Sequence, residues 1–127
     1  MEIKNKFTLG TKVYFYGEPL PFYVKALSYR YVIAVRRLNK RADAELLKRK
    51  VRMSAYCSFE EAYQANIDSP IYTILDLEKG IRGGSNMVFD PISYFDTKDC
   101  KKAIKALESG RMSISRNRKE IQIVENI

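Results

Sequence analysis

With 127 residues, 46% of them hydrophobic, the chain has room for one domain with a substantial core and none for a second independent one. It contains no histidine, which excludes Ser-His and Cys-His nucleophile pairs and removes the usual general base and the commonest transition-metal ligand. The formal charge of +8 favours an anionic partner.

No run approaches the roughly 20 apolar residues that cross a bilayer. The opening MEIKNKFTLG is too polar for the apolar core of a secretory signal. A cytoplasmic protein with no membrane partner is therefore expected. Cys57 and Cys100 lie far apart without a C-x-x-C spacing, so both are expected to be buried free thiols, with no metal and no cofactor.

In chain order, KVYFY at 12–16 predicts a strand of β-branched and aromatic residues, closed by the turn Gly17-Glu18-Pro19. FYVKALSYRYVIAVRRL then predicts a hairpin. Phe22, Val24 and Ala26 alternate with Tyr23, Lys25 and Leu27, residues 28–30 turn, and 31–37 return. Val32 to Val35 are apolar on both faces, as a central strand of a curled sheet requires. Residues 39–52 carry Ala44, Leu47 and Val51 at helical spacing with Asp43 as a cap. Ser58-Phe59-Glu60-Glu61 has capping-box spacing and opens a helix that ends before Pro70.

Residues 71–77 predict a strand that runs into a glycine loop, IRGGSN at 81–86, and 87–89 a short extended piece. Cys100, Ala103, Ile104 and Leu107 at i, i+3, i+4 and i+7 predict a helix over 97–108, started by Asp96 or Thr97 and stopped by Gly110. A closing hairpin is expected last, Met112 and Ile114 against Ile121 and Ile123, with Arg116-Asn117-Arg118 at its tip. Together these define one domain over 1–127 of the α+β class: a small, strongly curved antiparallel sheet, SH3-like in type, with two or three inserted helices. The pattern does not say whether the sheet closes into a barrel.

Charge is segregated along the chain. Residues 30–52 hold nine cations against Asp43 and Glu45, a local +7, and residues 111–119 hold Arg111, Arg116, Arg118 and Lys119 with no acid, a local +4. Three candidate sites follow. In the first, Arg82, Gly83, Gly84, Ser85 and Asn86 form an anion cradle of backbone N–H groups, or else an ordinary connecting turn. It lacks the Lys-Ser/Thr of a P-loop. In the second, Arg116, Asn117 and Arg118 fork onto phosphate or a base edge, or else form a charged tip that discourages strand-edge aggregation. In the third, Tyr29, Arg30, Tyr31, Arg36, Arg37, Lys40 and Arg41 make a basic, aromatic surface for nucleic acid, or else the tyrosines are sheet residues and the cations a solvated face.

The early YFYGEPLPFYVKALSYRYVIAVRRLN hairpin, the SPIYTILDLEKGIRGGSNMVF segment, and the ESG-ended helix followed by MSISRNRKEIQI together resemble a group of small uncharacterised bacteriophage and prophage proteins. The resemblance covers about residues 12–123 and brings no assigned reaction, so no catalytic residue comes with it. It implies a phage accessory protein in a bacterial host cytosol, of a kind that antagonises host defences. The resulting expectation is a non-enzymatic protein that binds an anionic ligand, nucleic acid or a nucleotide signal. The alternative is an inhibitor that docks its basic Arg/Tyr surface on a host protein. Homo-oligomerisation is left open.

Overall fold

The computed structural model describes residues 7–53, 56–85 and 94–126. The elements are β1 (Lys12–Phe15), β2 (Phe22–Leu27), β3 (Tyr31–Arg37), α1 (Ala44–Met53), α2 (Phe59–Ala65), β4 (Pro70–Asp76), β5 (Ile81–Ser85), α3 (Thr97–Glu108), β6 (Ile114–Glu120) and β7 (Ile123–Asn126). The fold is α+β, with three helices set between strands of a seven-stranded, strongly curved antiparallel half-barrel in the order β6-β5-β4-β3-β2-β1-β7. The chain divides into two compact units, residues 37–71 and the remainder on either side of them. No helix among the described residues is long and apolar enough to cross a membrane.

In the larger unit, β3 is buried on both faces because two different partners cover it. Tyr31, Ile33 and Val35 join Cys100, Ala103, Ile104 and Leu107 of α3 in one cluster, while Val32 and Ala34 point the other way and are also buried. A bulge in β2 shares out its side chains between the same two faces. Val24 lies opposite Ala34, whereas Ala26, beyond the register shift, lies opposite Ile33. The face away from the α3 cluster carries Phe15 and Phe22, whose rings meet edge to face at 5.6 Å.

Helix α3 follows from its sequence. Asp96 accepts from the Lys98 amide (2.8 Å) to cap the start, and Gly110 beyond the end takes φ 82°, the left-handed conformation that stops a helix. Burial of Ile104 and Leu107 contributes about 1.5–3 kcal/mol each.

In the smaller unit, α1 and α2 pack Leu38, Leu47 and Ala62 into a separate cluster, bordered by Phe59 and Tyr63. Ser58 caps α2 by accepting from the Glu61 amide (3.1 Å), and Glu61 reaches back to the Cys57 amide (3.3 Å). Cys57 is exposed and Cys100 buried, both free; the expectation of a buried Cys57 is corrected, since it precedes the cap of α2 and faces solvent.

Two larger corrections concern the second half of the chain. The glycine segment is not a loop: Ile81–Ser85 is strand β5, paired with β4 on one side and β6 on the other. The closing hairpin does not form either. β6 continues through Arg116, Asn117 and Arg118 in a bulged course, and Asn117 takes φ 53° within the strand, at irregularities of the β5–β6 register. Asparagine tolerates the left-handed region in a bulge as readily as in a turn.

The strand after β6 pairs elsewhere. β7 joins β1 at the opposite end of the strand order, although Ile121 and Gln122 alone separate it from β6. The Ile121 amide donates to Gly80 O (2.9 Å) at the β4–β5 turn, and Gln122 O accepts from the Tyr16 amide (2.8 Å) just after β1. Two consecutive residues thus tie the two ends of the strand order together, which is how the curvature is fixed. The piece expected at 87–89 lies outside the described residues.

Candidate anion-binding surface

The closing corner is built around Arg82. Its side chain is on the same face as Phe15 and Phe22, opposite Leu75 of β4 and Lys119 of β6, and the residue is 4% exposed. Nη2 is ion-paired with Glu18 of the β1–β2 turn, Nη1 donates to Thr73 Oγ1 (3.2 Å), and the guanidinium lies 3.8 Å from the Phe15 ring centroid. Burial pulls Arg82 down to about 10, which leaves it cationic at neutral pH. Lys119 donates to the same Glu18 carboxylate (3.2 Å) from the solvent side, and burial followed by repulsion from Arg82 lowers its pKa. Arg82 is therefore matched by Glu18, Thr73 and Phe15, and the cleft of about 220 Å³ beside it opens onto a cation already neutralised.

The residues after Arg82 are equally committed to structure. A Cβ on Gly83 would stand 2.5 Å from the Arg116 carbonyl oxygen and 3.2 Å from that of Asn117, so glycine is required there by the close approach of β6 and not by a bound phosphate. Gly84 lies opposite Arg116. Ser85 is buried, sharing hydrogen bonds with Tyr72 (2.8 Å) and Tyr94 (3.5 Å), whose rings stack at 3.8 Å. The cradle of successive amides expected over 82–86 is replaced by a strand, and Asn86 lies outside the described residues.

Arg116 and Arg118 sit on the adjacent strand, yet their surroundings are opposite. Every residue of β6 after Ile114, Ser115 through Glu120, is exposed. Arg118 Nε donates to Ile114 O (2.6 Å), which fixes its stem along the strand, and Arg111 just upstream is exposed as well. β6 ends the strand order, so these cations line one rim of the curved sheet with Glu120 the lone acid among them.

The third candidate set is divided by the fold. Tyr31 is a core residue of the α3 cluster, not a stacking surface, because the strand alternation turns its ring inward. Arg30 grips Asp76 through two parallel bonds (3.0 and 2.9 Å), and Arg36 lies 5.2 Å from the Phe22 ring centroid. Desolvation raises Asp76, but the bonds from Arg30 and from the Lys79 and Glu78 amides outweigh it and hold its carboxyl below the usual range. Tyr29 is 79% exposed. Arg37, Lys40 and Arg41 belong to the smaller unit; Arg37 approaches Asp68 at 4.0 Å, Lys40 is ion-paired with Glu60, and Arg41 is exposed.

Sequence reasoning missed two features. Glu18 reads as a turn residue, and only its pairing with Arg82, 64 positions on, reveals its role. Phe59 and Tyr63, at i and i+4 of α2, pack against the cluster of the smaller unit and, with Asn39, Lys40, Arg41 and Ala44, also line a groove of about 540 Å³ that the sequence does not announce. Among the described residues no group of three or more Cys, Asp or Glu side chains is placed to hold a metal ion.

Fold and surface together define an α+β half-barrel with a basic outer strand. Comparison with protein-family models, with curated proteins and with solved structures finds no match to this chain.

Proposed function

We propose that the protein is a non-enzymatic binding domain whose ligand is nucleic acid, held through its phosphates along β6. The observation that carries this reading is the run of six exposed residues after Ile114, bearing Arg116 and Arg118 on the terminal strand of the sheet, with Lys119 beside them held to Glu18. An open cationic strip suits a polymer that extends past it; a small nucleotide signal would call for an enclosed site, and the cation best enclosed, Arg82, is already paired with Glu18. In keeping with the resemblance to phage accessory proteins, the nucleic acid would be met in a bacterial host cytosol, where its capture would antagonise a host defence.

The test is binding of duplex and single-stranded oligonucleotides over a salt series. Each phosphate contact contributes about −0.9 to the slope of log K against log[salt], so Arg116 and Arg118 give a slope of about −2, and replacing both by serine removes most of it. Absence of binding at low salt, or a slope indifferent to the two substitutions, overturns the reading.

One observation favours a second reading. β6 is the last strand in the order, and a terminal strand can accept a further strand from a partner. Pairing with a second copy about Asn117 would set Arg116 against Arg118 in both directions, a like-charge arrangement, so an acidic extended segment of a host protein is the better match. In that case the same substitutions would weaken binding of a protein partner, whose backbone pairing persists, with a shallower salt dependence than a polyanion gives.

A further inference from the structure

The groove of the smaller unit is not used by the β6 strip, and its two walls differ in chemistry. One wall is aromatic. Phe59 and Tyr63 lie one turn apart on α2, half-buried against the Leu38, Leu47 and Ala62 cluster, so their rings are anchored at the base yet remain partly open. The other wall is a braced turn. Asn39 Oδ1 accepts from the Arg41 and Ala42 amides (3.0 and 2.8 Å), and the Asp43 carboxylate accepts from the Asn39 amide (2.8 Å). Such a turn holds Lys40 and Arg41 in place without packing them away.

The two cations have different duties. Lys40 is ion-paired with Glu60 and lies over the Tyr63 ring, 5.4 Å from its centroid, so its charge is balanced and it stands where a stacked base would insert. Arg41 is exposed on the same rim. At about 540 Å³ the groove falls within the roughly 300–1,000 Å³ of small-ligand sites.

We propose that this groove takes one unpaired nucleobase, which displaces the flexible Lys40 side chain from the Tyr63 ring and stacks on Tyr63 and Phe59, with the attached phosphate on Arg41. Aromatic faces beside a guanidinium are the combination by which single-stranded nucleic acid is gripped, at about 1–3 kcal/mol per stacked base. The inference rests on the nucleic-acid reading and sharpens it: β6 neutralises backbone on any strand, whereas the groove admits a base free of its complement.

The test uses amide and aromatic-ring NMR of the full chain with three probes: adenosine 5′-monophosphate, adenosine and ribose 5-phosphate. Adenosine monophosphate should shift resonances of residues 39–44 and the Tyr63 ring with tighter binding than either fragment. Tyr63→Leu, which keeps an apolar side chain against the cluster, and Arg41→Gln should each weaken it at least about fivefold, while Arg116→Ser/Arg118→Ser leaves it unchanged. A single-stranded oligonucleotide should displace the nucleotide and a blunt duplex should not. No response to adenosine monophosphate, an equal response to ribose 5-phosphate, or binding that survives both groove substitutions overturns the inference. If the nucleotide fails while salt-sensitive polymer binding through β6 persists, the groove alone is excluded. If it succeeds while the β6 variants bind polymer normally, the β6 reading falls and the groove stands.

Discussion

Arg82 and Arg116 lie on neighbouring strands, Arg82 two residues before Gly84, the register partner of Arg116, and the fold makes opposite use of them. Arg82 is enclosed by Glu18, Thr73 and Phe15 at the corner where the strand order is tied together. Arg116 stands on a strand whose side chains are exposed for six residues. A buried guanidinium needs its partners because desolvation disfavours the charged form; an exposed one needs none and keeps its charge for a ligand. Charge counted along the sequence therefore overstates what is offered to a partner, and partner identity decides which cations remain.

Substitutions at the corner should have the largest effect. Arg82→Met leaves Glu18, 22% exposed in its side chain, with Lys119 as its remaining partner, and should cost about 3 kcal/mol in urea unfolding, the low end for breaking a buried pair because Glu18 retains some solvent. Pairing it with Glu18→Gln should restore part of the loss. A single variant as stable as the parent would show that the corner is not held by this ion pair. Gly83→Ala comes next. Its Cβ would meet β6 first at backbone, the Arg116 carbonyl oxygen at 2.5 Å, and also Ile114 Cγ2 at 3.2 Å, so a loss of about 1–3 kcal/mol is expected, read as a lowered Tm. Because the push displaces the strand that bears Arg116, this variant links the two regions; unchanged stability would mean that β6 is free to move away.

Much of this architecture was legible in the sequence. The β2–β3 hairpin, the doubly apolar β3, the Ser58 cap and the Asp96-to-Gly110 limits of α3 are local signals, and each is where short-range chemistry places it. What was not legible is long-range. Gly83 and Gly84 carry the composition of a loop, but their smallness serves the approach of β6, a strand some 30 residues away. Asn117 carries the signature of a turn, and the φ that signature implies is present; whether it reverses the chain or only kinks a strand is decided by β5 on one side. β7 could not be assigned to β1 from periodicity, since four residues of a terminal strand fit either neighbour. At the candidate site, residue types were read correctly as cations and aromatics, but the division into paired and exposed was invisible without Glu18, Asp76 and Glu60.

A pH series separates a third arginine from the exposed ones. The Asp76 carboxyl, buried beside Arg30, titrates below its unfolded value, so its contribution is present above the unfolded pKa of about 3.9 and lost as pH falls through the folded value. Stability should decline on that acid limb, and Arg30→Gln should flatten the decline. At the other extreme burial pushes Tyr94 up to about 12. Its share of stability is complete below the ordinary tyrosine value of about 10 and lost as pH rises through the folded one. Tyrosinate absorbance should therefore show a late component that coincides with loss of near-ultraviolet circular dichroism; a late component without unfolding would place Tyr94 outside the core.

The smallest stability effect belongs to β6. Arg116→Ser should change the unfolding free energy by no more than about 0.5 kcal/mol, as is usual for a surface position, because its side chain is exposed and the strand is held by backbone pairing with β5. Arg118→Ser removes the bond to Ile114 O and should cost slightly more, about 0.5–1 kcal/mol. Such variants remain folded, so any change in their ligand binding reports on the cations themselves. Loss of stability at Arg116 comparable to that at Arg82 would erase the distinction between the two arginines and, with it, the case for β6 as the surface left open to a partner.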